Sequence, residues 1–300
     1  MSEFISTLAN LFTTAFVVTS MFSFGLRLTL SEIIEPLRDV RLLLTTLAAN
    51  FVIVPLTALL LANLLGLEED LRVGLILISV VAGAPLVPKL AQIAKANIPF
   101  AVASTALLVV ATVIYLPLVL PLLLPGVRLN TMNIIRPLGI QIILPLVLGL
   151  IVDYISRDEA DVLLPVLGQI ANVSLTLMLV LMLGGNVGNV IGLIGTGSIL
   201  AAILLFAVAM IAGYLLGGAD AGTRRTLSMA TGQRNLAAAF VVAAGTFPDR
   251  PAILVFLAAA GLIAMIMMMP IAGWLGKRAA NEGTLAPAGA EVVDAEIRRT

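Results

Sequence analysis

Cysteine and histidine are both absent from the 300 residues, and charged side chains make up only 11% of them. Without cysteine the chain has no disulfide or thiol chemistry, and without histidine it lacks imidazole metal ligands and the commonest acid–base group. A soluble domain has about 25% charged residues, so this chain cannot solvate its own surface in water. The net charge of zero gives no indication of nucleic-acid binding. We therefore expect an integral membrane protein in contact with the lipid bilayer, with no nucleic-acid partner and no enzymatic activity.

Hydrophobic residues make up 60% of the chain and fall into segments of about 20 residues, the length that crosses the hydrocarbon core of a bilayer. The segments are rich in leucine and alanine and lack strand-like alternation, so they favour helices over a β-barrel. The sequence predicts nine spans, at 9–29, 41–65, 71–93, 98–124, 134–154, 163–186, 196–217, 223–246 and 251–276. Residues 31–39 are predicted to form a short amphipathic stretch at the membrane interface.

Lysine and arginine in the short loops predict the orientation of these spans. With a cytoplasmic C-terminus, ten basic residues lie on the inner side and four on the outer side. This distribution favours an N-terminus outside and a C-terminus in the cytoplasm, in a multi-pass protein of a bacterial inner membrane. Residues 1–278 are the predicted transmembrane domain. Residues 279–300 are polar and without periodicity, and we expect them to form a disordered cytoplasmic tail.

Two of the predicted spans are interrupted by residues that suit a membrane helix poorly. Residues 83–89 contain two prolines, each of which removes a backbone donor, and end in a lysine. Residues 231–235 place glycine, glutamine, arginine and asparagine consecutively within an apolar span. Non-helical backbone at this depth survives only inside protein or beside a water-filled cavity. We expect both segments to be non-helical or kinked and to approach each other near the middle of the membrane.

The order of the interrupted spans indicates an internal repeat. They are the third and the eighth, so an offset of five gives the units around them opposite topologies. The sequence predicts a four-plus-five inverted repeat with two discontinuous crossover helices, at about 71–97 and 223–246. Such a pair is the best sequence indication of the binding site of a secondary transporter.

Arg234 is the residue least compatible with its span, because a central arginine costs about 2.5–3.5 kcal/mol on insertion scales. Two interpretations are open: it binds an anionic solute, or it is a structural tether for neighbouring carbonyl groups. Half-helix N-termini and Arg234 would together attract a carboxylate or sulfate. The predicted substrate-binding residues are Arg234, Asn235, Gln233, Pro85 and Lys89. The predicted substrate is a small organic anion.

Four segments carry a resemblance to the bile acid:sodium symporter family. They are Met21–Leu28 with its Met-Phe-x-x-Gly-Leu-x-Leu pattern, Asn50–Pro55 with its polar-Phe-x-x-x-Pro pattern, Gly83–Asn97, and Thr231–Ala239. The resemblance covers about residues 12–276 and implies a panel domain and a core domain, in which the two discontinuous helices cross. It also implies sodium-coupled uptake of an organic anion by alternating access. This chain is similar to members that lack the first of ten helices.

The resemblance further implies two sodium sites, with Thr105 and Asn50 at ligand positions. A family glutamine ligand falls at Gln233 or at Arg234, depending on where a short gap is placed. Thr105, Asn50 and Gln233 are therefore the candidate sodium ligands, and no cofactor other than sodium is implied.

At the remaining ligand positions the chain departs from the family. The residues there are Val87 and Pro88, Ala101, and Ala230 or its neighbour. Because a cage of oxygen atoms also accepts a guanidinium or ammonium group, a tethered cation can stand in for a bound sodium ion. An alternative function is thus a sodium-independent facilitator, with Arg234 or Lys89 replacing the ion. A second alternative is a non-transporting membrane scaffold or sensor.

Overall fold

The structure is a computed structural model that describes residues 3–29, 39–125, 127 and 130–284. All regular secondary structure within these residues is helical. The helices are α1 Glu3–Gly25, α2 Val40–Leu64, α3 Glu69–Val80, α4 Val87–Ile93, α5 Ile98–Leu123, α6 Thr131–Ile155, α7 Arg157–Gly184, α8 Val187–Gly192, α9 Ser198–Leu216, α10 Ala221–Gly232, α11 Leu236–Thr246 and α12 Pro251–Thr284. Helix α2 contains a π-helical turn at Ala49–Ile53, and α6 contains one at Gly139–Ile143. The predicted interfacial stretch lies outside the described residues except for Asp39, which caps α2.

Seven of the described helices are long and apolar enough to cross a membrane: α1, α2, α5, α6, α7, α9 and α12. This agrees with the prediction of a multi-pass, all-helical membrane protein. The spans predicted at 71–93 and 223–246 are each divided into two short helices, so the count of nine spans stays a prediction. None of these four halves has the ~20 residues that cross the hydrocarbon core alone.

Both helix breaks differ in their bounds from the predicted ones. The first covers residues 81–86, whereas residues 83–89 were predicted. Residues 87–89 are helical because Pro88 lies in the first turn of α4, where the missing N–H would have no partner in any case. The second break covers residues 233–235 instead of 231–235, since α10 continues to Gly232. A break is therefore present at each predicted place.

The broken helices lie in the interior of the bundle. Helix α3 buries every residue from Val73 to Val80, and α11 buries every residue from Ala237 to Ala243. They are surrounded by longer helices, so their interrupted backbone is shielded from lipid, as membrane proteins require. Large apolar side chains such as Leu118 instead point outward from the long helices.

Glycine residues bring several of the long helices into close contact. Helix α1 packs against α6 and α7, and a Cβ on Gly25 would lie 2.2 Å from the carbonyl oxygen of Leu146 in α6. Helix α9 packs against α10, where a Cβ on Gly213 would lie 2.3 Å from the carbonyl oxygen of Leu227. Small residues at such crossings let the backbones approach closely, which strengthens packing between membrane helices.

Polar side chains cap the short helices on both sides of the second break. Asp220 accepts hydrogen bonds from the N–H and the hydroxyl of Thr223 at the start of α10, and these bonds hold the pKa of Asp220 below its usual range. Asn235 accepts a hydrogen bond from the N–H of Ala238 at the start of α11. Both are typical N-cap residues, so the sequence defines where each half-helix begins.

The C-terminal helix is longer than the sequence predicted. Helix α12 extends to Thr284, so residues 279–284 are helical and not part of a disordered tail. Alanine is the strongest helix former, and Ala279 and Ala280 continue the helix beyond the apolar segment. Residues 285–300, the rest of the predicted tail, lie outside the described residues.

Candidate functional site

The two helix breaks meet at the centre of the bundle. The backbone N–H of Asn235 donates to the carbonyl oxygen of Val81 at 3.3 Å, and its side-chain Nδ2 donates to the carbonyl oxygen of Gly83 at 3.0 Å. One residue of the second break thus satisfies two carbonyl groups of the first. This pairing replaces hydrogen bonds that each helix loses where it is interrupted.

Arg234 lies at this crossing with only 2% of its surface exposed. Its Nε donates to Ile78 O at 3.2 Å, and Nη1 donates to Asn50 Oδ1 at 2.8 Å and Thr231 O at 3.1 Å. Nη2 donates to Ser79 O at 2.5 Å and Asn50 O at 3.4 Å. A guanidinium has five N–H donors, so all five are satisfied by protein oxygens.

We call the oxygen atoms of Asn50, Ile78, Ser79 and Thr231 around this guanidinium the arginine cage. All of them belong to neutral groups, and no Asp or Glu among the described residues forms a salt bridge with Arg234. Three cage carbonyls lie in the last turns of α3 and α10, where carbonyl groups lack helical partners and carry a partial negative charge. Two helix C-termini therefore stabilise one buried positive charge.

The π-helical turn of α2 contributes a further carbonyl to the cage. Pro55 has no N–H, so one carbonyl group in the turn before it, which contains Asn50 and Phe51, loses its helical donor. Asn50 O accepts from Arg234, and Phe51 O accepts from the hydroxyl of Tyr115 at 2.6 Å. Two carbonyl groups in the turn before Pro55 thus accept from the side chains of Arg234 and Tyr115, in a π-turn of the kind often found at functional sites.

The first break is held against α5 by close backbone contacts. Gly83 has a φ of +78°, and a Cβ there would lie 2.4 Å from the N atom of Val109. The Thr112 hydroxyl accepts from the N–H of Ala82 at 2.9 Å and donates to the carbonyl oxygen of the same residue at 3.2 Å. Only glycine fits at position 83, because it tolerates both the positive φ and the short distance.

A buried apolar cluster lies beside the arginine cage. It comprises Phe51, Ala82, Ala84, Val87, Ala91, Ala101, Leu108, Leu227 and Ala230. Val87, Ala101 and Ala230 have no exposed surface, and none of them carries a side-chain oxygen. Val87 and Ala101 stand where the family resemblance implies sodium ligands, and Ala230 stands at or next to a third such position. The side chains at 87, 101 and 230 offer no oxygen atom to a hard cation such as sodium.

A cavity of about 550 Å³ opens between α1 and α7 on one side and the two helix breaks on the other. The residues predicted to bind substrate, which are Pro85, Lys89, Gln233, Arg234 and Asn235, all line it. Arg27, two residues after the end of α1, lines it as well, and no acidic residue appears among its lining residues. The cavity is consequently positive in charge and suited to an anion.

The residues predicted to bind substrate differ in how far their polar groups are already hydrogen-bonded within the protein. Every N–H of Arg234 is engaged in the arginine cage, which is the geometry of the structural tether. The Asn235 side chain joins the two breaks and caps α11. Lys89 is exposed, and its Nζ donates to Gln92 at 3.2 Å. Gln233 is buried, and its Oε1 has no hydrogen-bond partner within the part of the chain that the structure describes. Substrate binding by these residues stays a prediction.

The three candidate sodium ligands lie at the crossing but differ in their engagement. Asn50 Oδ1 accepts from Arg234, so it already coordinates a cation of the protein itself. The Thr105 hydroxyl donates to Ala101 O at 2.7 Å, the usual intrahelical bond of a buried threonine. The Gln233 Oε1 atom is the one candidate ligand without a partner among the described residues.

Sequence reasoning missed several residues of this region. Tyr115 could have been anticipated, because Pro55 releases a carbonyl that needs a donor. The contribution of Ile78 and Ser79 through their carbonyl groups had no sequence signal, since any residue type supplies that atom. Ser23 on α1 and Arg27 just after it line the cavity only because α1 packs across from the breaks.

The fold and the site define the class of protein: an all-helical protein with seven helices long and apolar enough to cross a membrane among the described residues, and with two broken helices that cross beside a positively charged cavity. Within this class, the family model described as the sodium bile acid symporter family matches residues 14–193, and the chain belongs to this family. The family consists of transporters, which agrees with the expectation that the chain is not an enzyme.

Two relatives from Arabidopsis thaliana are similar over most of this chain. It is 26% identical over 221 residues to a protein named "Probable sodium/metabolite cotransporter BASS3, chloroplastic", covering 72% of this chain and 51% of the relative. It is 25% identical over 232 residues to "Probable sodium/metabolite cotransporter BASS1, chloroplastic", covering 76% of this chain and 58% of the relative. The chain thus spans about half the length of these relatives.

Proposed function

We propose that this chain is a secondary transporter that moves a small organic anion across a membrane without sodium coupling, and that Arg234 takes the place of the bound ion. The observation that carries the proposal is the arginine cage. Its oxygens bind a guanidinium next to the position of a family sodium ligand, and all five donors are satisfied. A permanently tethered cation supplies the charge that sodium would otherwise bring.

The apolar cluster supports the same proposal independently. A first sodium site would need oxygen ligands at positions where Val87, Ala101 and Ala230 are packed without exposure to solvent. Desolvating a sodium ion in such surroundings has no compensating coordination, so binding there is unfavourable. Neither of the two ion sites that the resemblance implies is then available to sodium.

The proposed architecture has nine spans, of which two are the crossover pairs α3–α4 and α10–α11. In this arrangement α1, α6 and α7 form the panel, and the remaining helices form the core. A four-plus-five inverted repeat relates the two halves. We further propose an N-terminus outside and a cytoplasmic C-terminus in a bacterial inner membrane, from the distribution of basic residues.

The electrostatics of the crossing favour an anionic substrate. The C-terminal ends of α3 and α10 face Arg234, so the N-terminal ends of α4 and α11 lie on the other side of each break. Ala84 and Ala237, which flank those N-termini, line the cavity together with Arg27 and Lys89. Helix N-termini and cationic side chains both stabilise a carboxylate or a sulfonate.

Sodium-coupled transport is the second candidate function, and one observation favours it. The two plant relatives are named as probable sodium/metabolite cotransporters. In this case Thr105, Asn50 and Gln233 would form the ion site together with backbone carbonyl groups. Asn50 would then have to give up its bond to Arg234.

Uptake by proteoliposomes separates these functions. Initial rates are measured for a panel of labelled carboxylates and sulfonates, with sodium replaced by choline at fixed ionic strength and with protein-free liposomes as control. We expect uptake of at least one anion at a rate that sodium does not change, and a melting temperature that sodium does not raise. A saturable sodium requirement with thermal protection would establish the coupled candidate, and a lack of uptake across the panel would support the scaffold.

A further inference from the structure

Helix α7 is the least enclosed of the seven helices that are long and apolar enough to cross a membrane. Within its apolar window 22% of the residues are buried, against 33–44% in the other six such helices. The buried side of α7, which includes Ala171 and Met178, is the side on which other helices pack, chiefly α1. The opposite side of α7 is therefore open to lipid or to a partner.

This open side carries a primary amide close to the middle of the 28-residue helix. Gln169 is exposed, and its side chain forms no hydrogen bond with another described residue, whereas the nearby Thr176 hydroxyl donates to Asn172 O at 2.9 Å. Gly168 and Asn172 line the cavity beside the helix breaks, but Gln169 does not. Hydrocarbon offers an amide neither donor nor acceptor, so an amide at this depth needs a partner.

The exposed residues of α7 repeat at alternating spacings of four and three. We call them the α7 seam: Val162, Val166, Gln169, Val173, Thr176 and Val180. The four valines are each more than half exposed. In heptad terms the a positions are Val166, Val173 and Val180, and β-branched residues at a favour two parallel strands. Most membrane helices cross at about +20°, as in soluble coiled coils, so the same packing is open to them.

We infer that the α7 seam is the interface of a parallel homodimer, in which the Gln169 amides of two copies of the chain hydrogen-bond to each other. Two copies in one membrane have the same orientation, so a two-fold axis along the membrane normal places their α7 helices side by side and parallel. Residues next to such an axis meet their own copies. A primary amide carries both donors and an acceptor, so it is complementary to itself, which a carboxylate or an ammonium is not.

The dimer leaves the candidate site accessible. None of the six residues of the α7 seam lines the cavity, which α7 borders through Gly168, Ala171, Asn172, Leu175 and Leu179. Interhelical hydrogen bonds between polar side chains are among the forces that hold membrane helices together, because lipid competes for apolar contacts. The inference therefore adds an assembly to the protein and does not depend on what the cavity binds.

Disulfide cross-linking tests the interface directly, because the natural chain has no cysteine. Val166→Cys, Val173→Cys and Val180→Cys are each expressed in the full chain and oxidised in native membranes. We expect a covalent dimer from all three, since a positions of a parallel pair face their own copies within reach of a disulfide. Val110→Cys is the matched control, an exposed valine in the middle of α5, and should stay monomeric. Equal cross-linking at 110 and 173 would reflect random collision and overturn the inference.

Self-association of labelled protein, diluted in liposomes and followed by energy transfer, tests the amide. Gln169→Leu should raise the dissociation constant of the dimer about three- to thirtyfold, the range for one interhelical hydrogen bond in a membrane. Gln169→Asn should restore most of the affinity, because it keeps a primary amide. Gln141→Leu, which removes a half-buried amide in the middle of α6, is the control and should leave the dissociation constant unchanged.

Three outcomes would contradict the inference. In the first, the wild-type protein remains monomeric at every ratio of protein to lipid. In the second, Gln169→Leu slows uptake while the dissociation constant stays the same, which would assign the amide to the solute path. In the third, the cysteine at 173 is cross-linked to a different protein of the native membrane, which would give the α7 seam another partner. Each outcome leaves the proposed transport function standing.

Discussion

The arginine cage and the apolar cluster lie side by side, yet different forces hold them together. In α10 the consecutive residues Ala230 and Thr231 contribute to one each: the Ala230 side chain to the cluster, and the Thr231 carbonyl to the cage. The cage satisfies five charged donors with neutral oxygens, whereas the side chains that make up the cluster are all apolar. A membrane interior accepts both, because each leaves no polar group without a partner.

The difference shows two ways in which a chain can dispense with a bound ion. Where backbone carbonyl groups converge, as at the ends of α3 and α10, they cannot be removed by substitution, so a cation must satisfy them. Where the ligands are side chains, as at positions 87, 101 and 230, alanine or valine removes the oxygens and fills the space. If the proposed function is correct, Arg234 replaces a bound ion at one site, and the apolar cluster fills the space of the other.

The largest expected loss of stability comes from removing the guanidinium from the arginine cage. Arg234→Met removes all five donors and leaves buried carbonyl groups unsatisfied, so the free energy of unfolding should fall by at least about 3 kcal/mol. Arg234→Lys should recover only part of this, because an ammonium cannot reproduce the planar fork. The measurement is thermal denaturation in detergent.

Arg72→Met is the control for that substitution. Arg72 is an arginine near the start of α3 whose side chain bonds to Asn63 at the protein surface, so its loss should change the stability by no more than about 0.5 kcal/mol. If Arg234→Met is as mild as this control and transports like the wild type, Arg234 has neither a structural nor a functional role.

A second prediction concerns a substitution that places an ion ligand in the apolar cluster. Ala230→Glu should lower stability by about 2–3 kcal/mol, because it places a polar and larger side chain in packed hydrocarbon. Sodium should not restore that stability while Arg234 occupies the cage. When Arg234→Gln is added, sodium should raise the melting temperature, as a ligand that binds only the folded state does.

The neutral variant Ala230→Gln, with and without Arg234→Gln, is the matched control and should show no sodium effect. Sodium protection of the single Ala230→Glu variant would show that Arg234 does not exclude the ion. This result would contradict the proposed replacement.

A third prediction concerns Gly83, which lies in the break between Ala82 and Ala84 of the cluster. Gly83→Ala should cost about 2 kcal/mol or more, since its Cβ would meet the backbone of α5 at 2.4 Å in addition to the strain of a positive φ. Gly218→Ala provides the comparison, because Gly218 has nearly the same φ, +79°, and open space around it. Equal losses of stability in the two variants would mean that the contact with α5 adds nothing.

The smallest expected effect tests the link between the two regions. Tyr115→Phe removes the donor to Phe51 O and should cost about 1 kcal/mol. Because an alanine at position 55 would supply an N–H four residues after Phe51, the cost should shrink in a Pro55→Ala background, with a coupling of about 1 kcal/mol in a double-mutant cycle. Thr57→Val, which removes a bond to Ile53 O, should cost the same in both backgrounds. Strict additivity of Tyr115→Phe and Pro55→Ala would contradict this account of the π-turn.

The family resemblance and the positions of the breaks were predicted from local sequence patterns. The boundaries that were predicted wrongly are also explained by local patterns. Pro85 and Gly83 predicted a break, but proline also starts helices, so the end of the break at Pro88 was misplaced. Positions 279–284 were assigned to the tail because they are polar, although their alanines favour helix. In both cases one residue type is compatible with two structures, and only the neighbouring backbone selects between them.

The sequence by itself determined that the chain is helical and membrane-embedded, where its helices are interrupted, and that Arg234 needs partners. These properties follow from composition, from the absence of a proline N–H and from the cost of a charge in hydrocarbon, all of which are local quantities. Only the tertiary structure decided which groups accept the hydrogen bonds of Arg234. Ile78 O and Ser79 O lie more than 150 residues away along the chain, and carbonyl groups are the same in every residue. Which of them converge on Arg234 depends on how α2, α3 and α10 pack, which no residue type encodes alone.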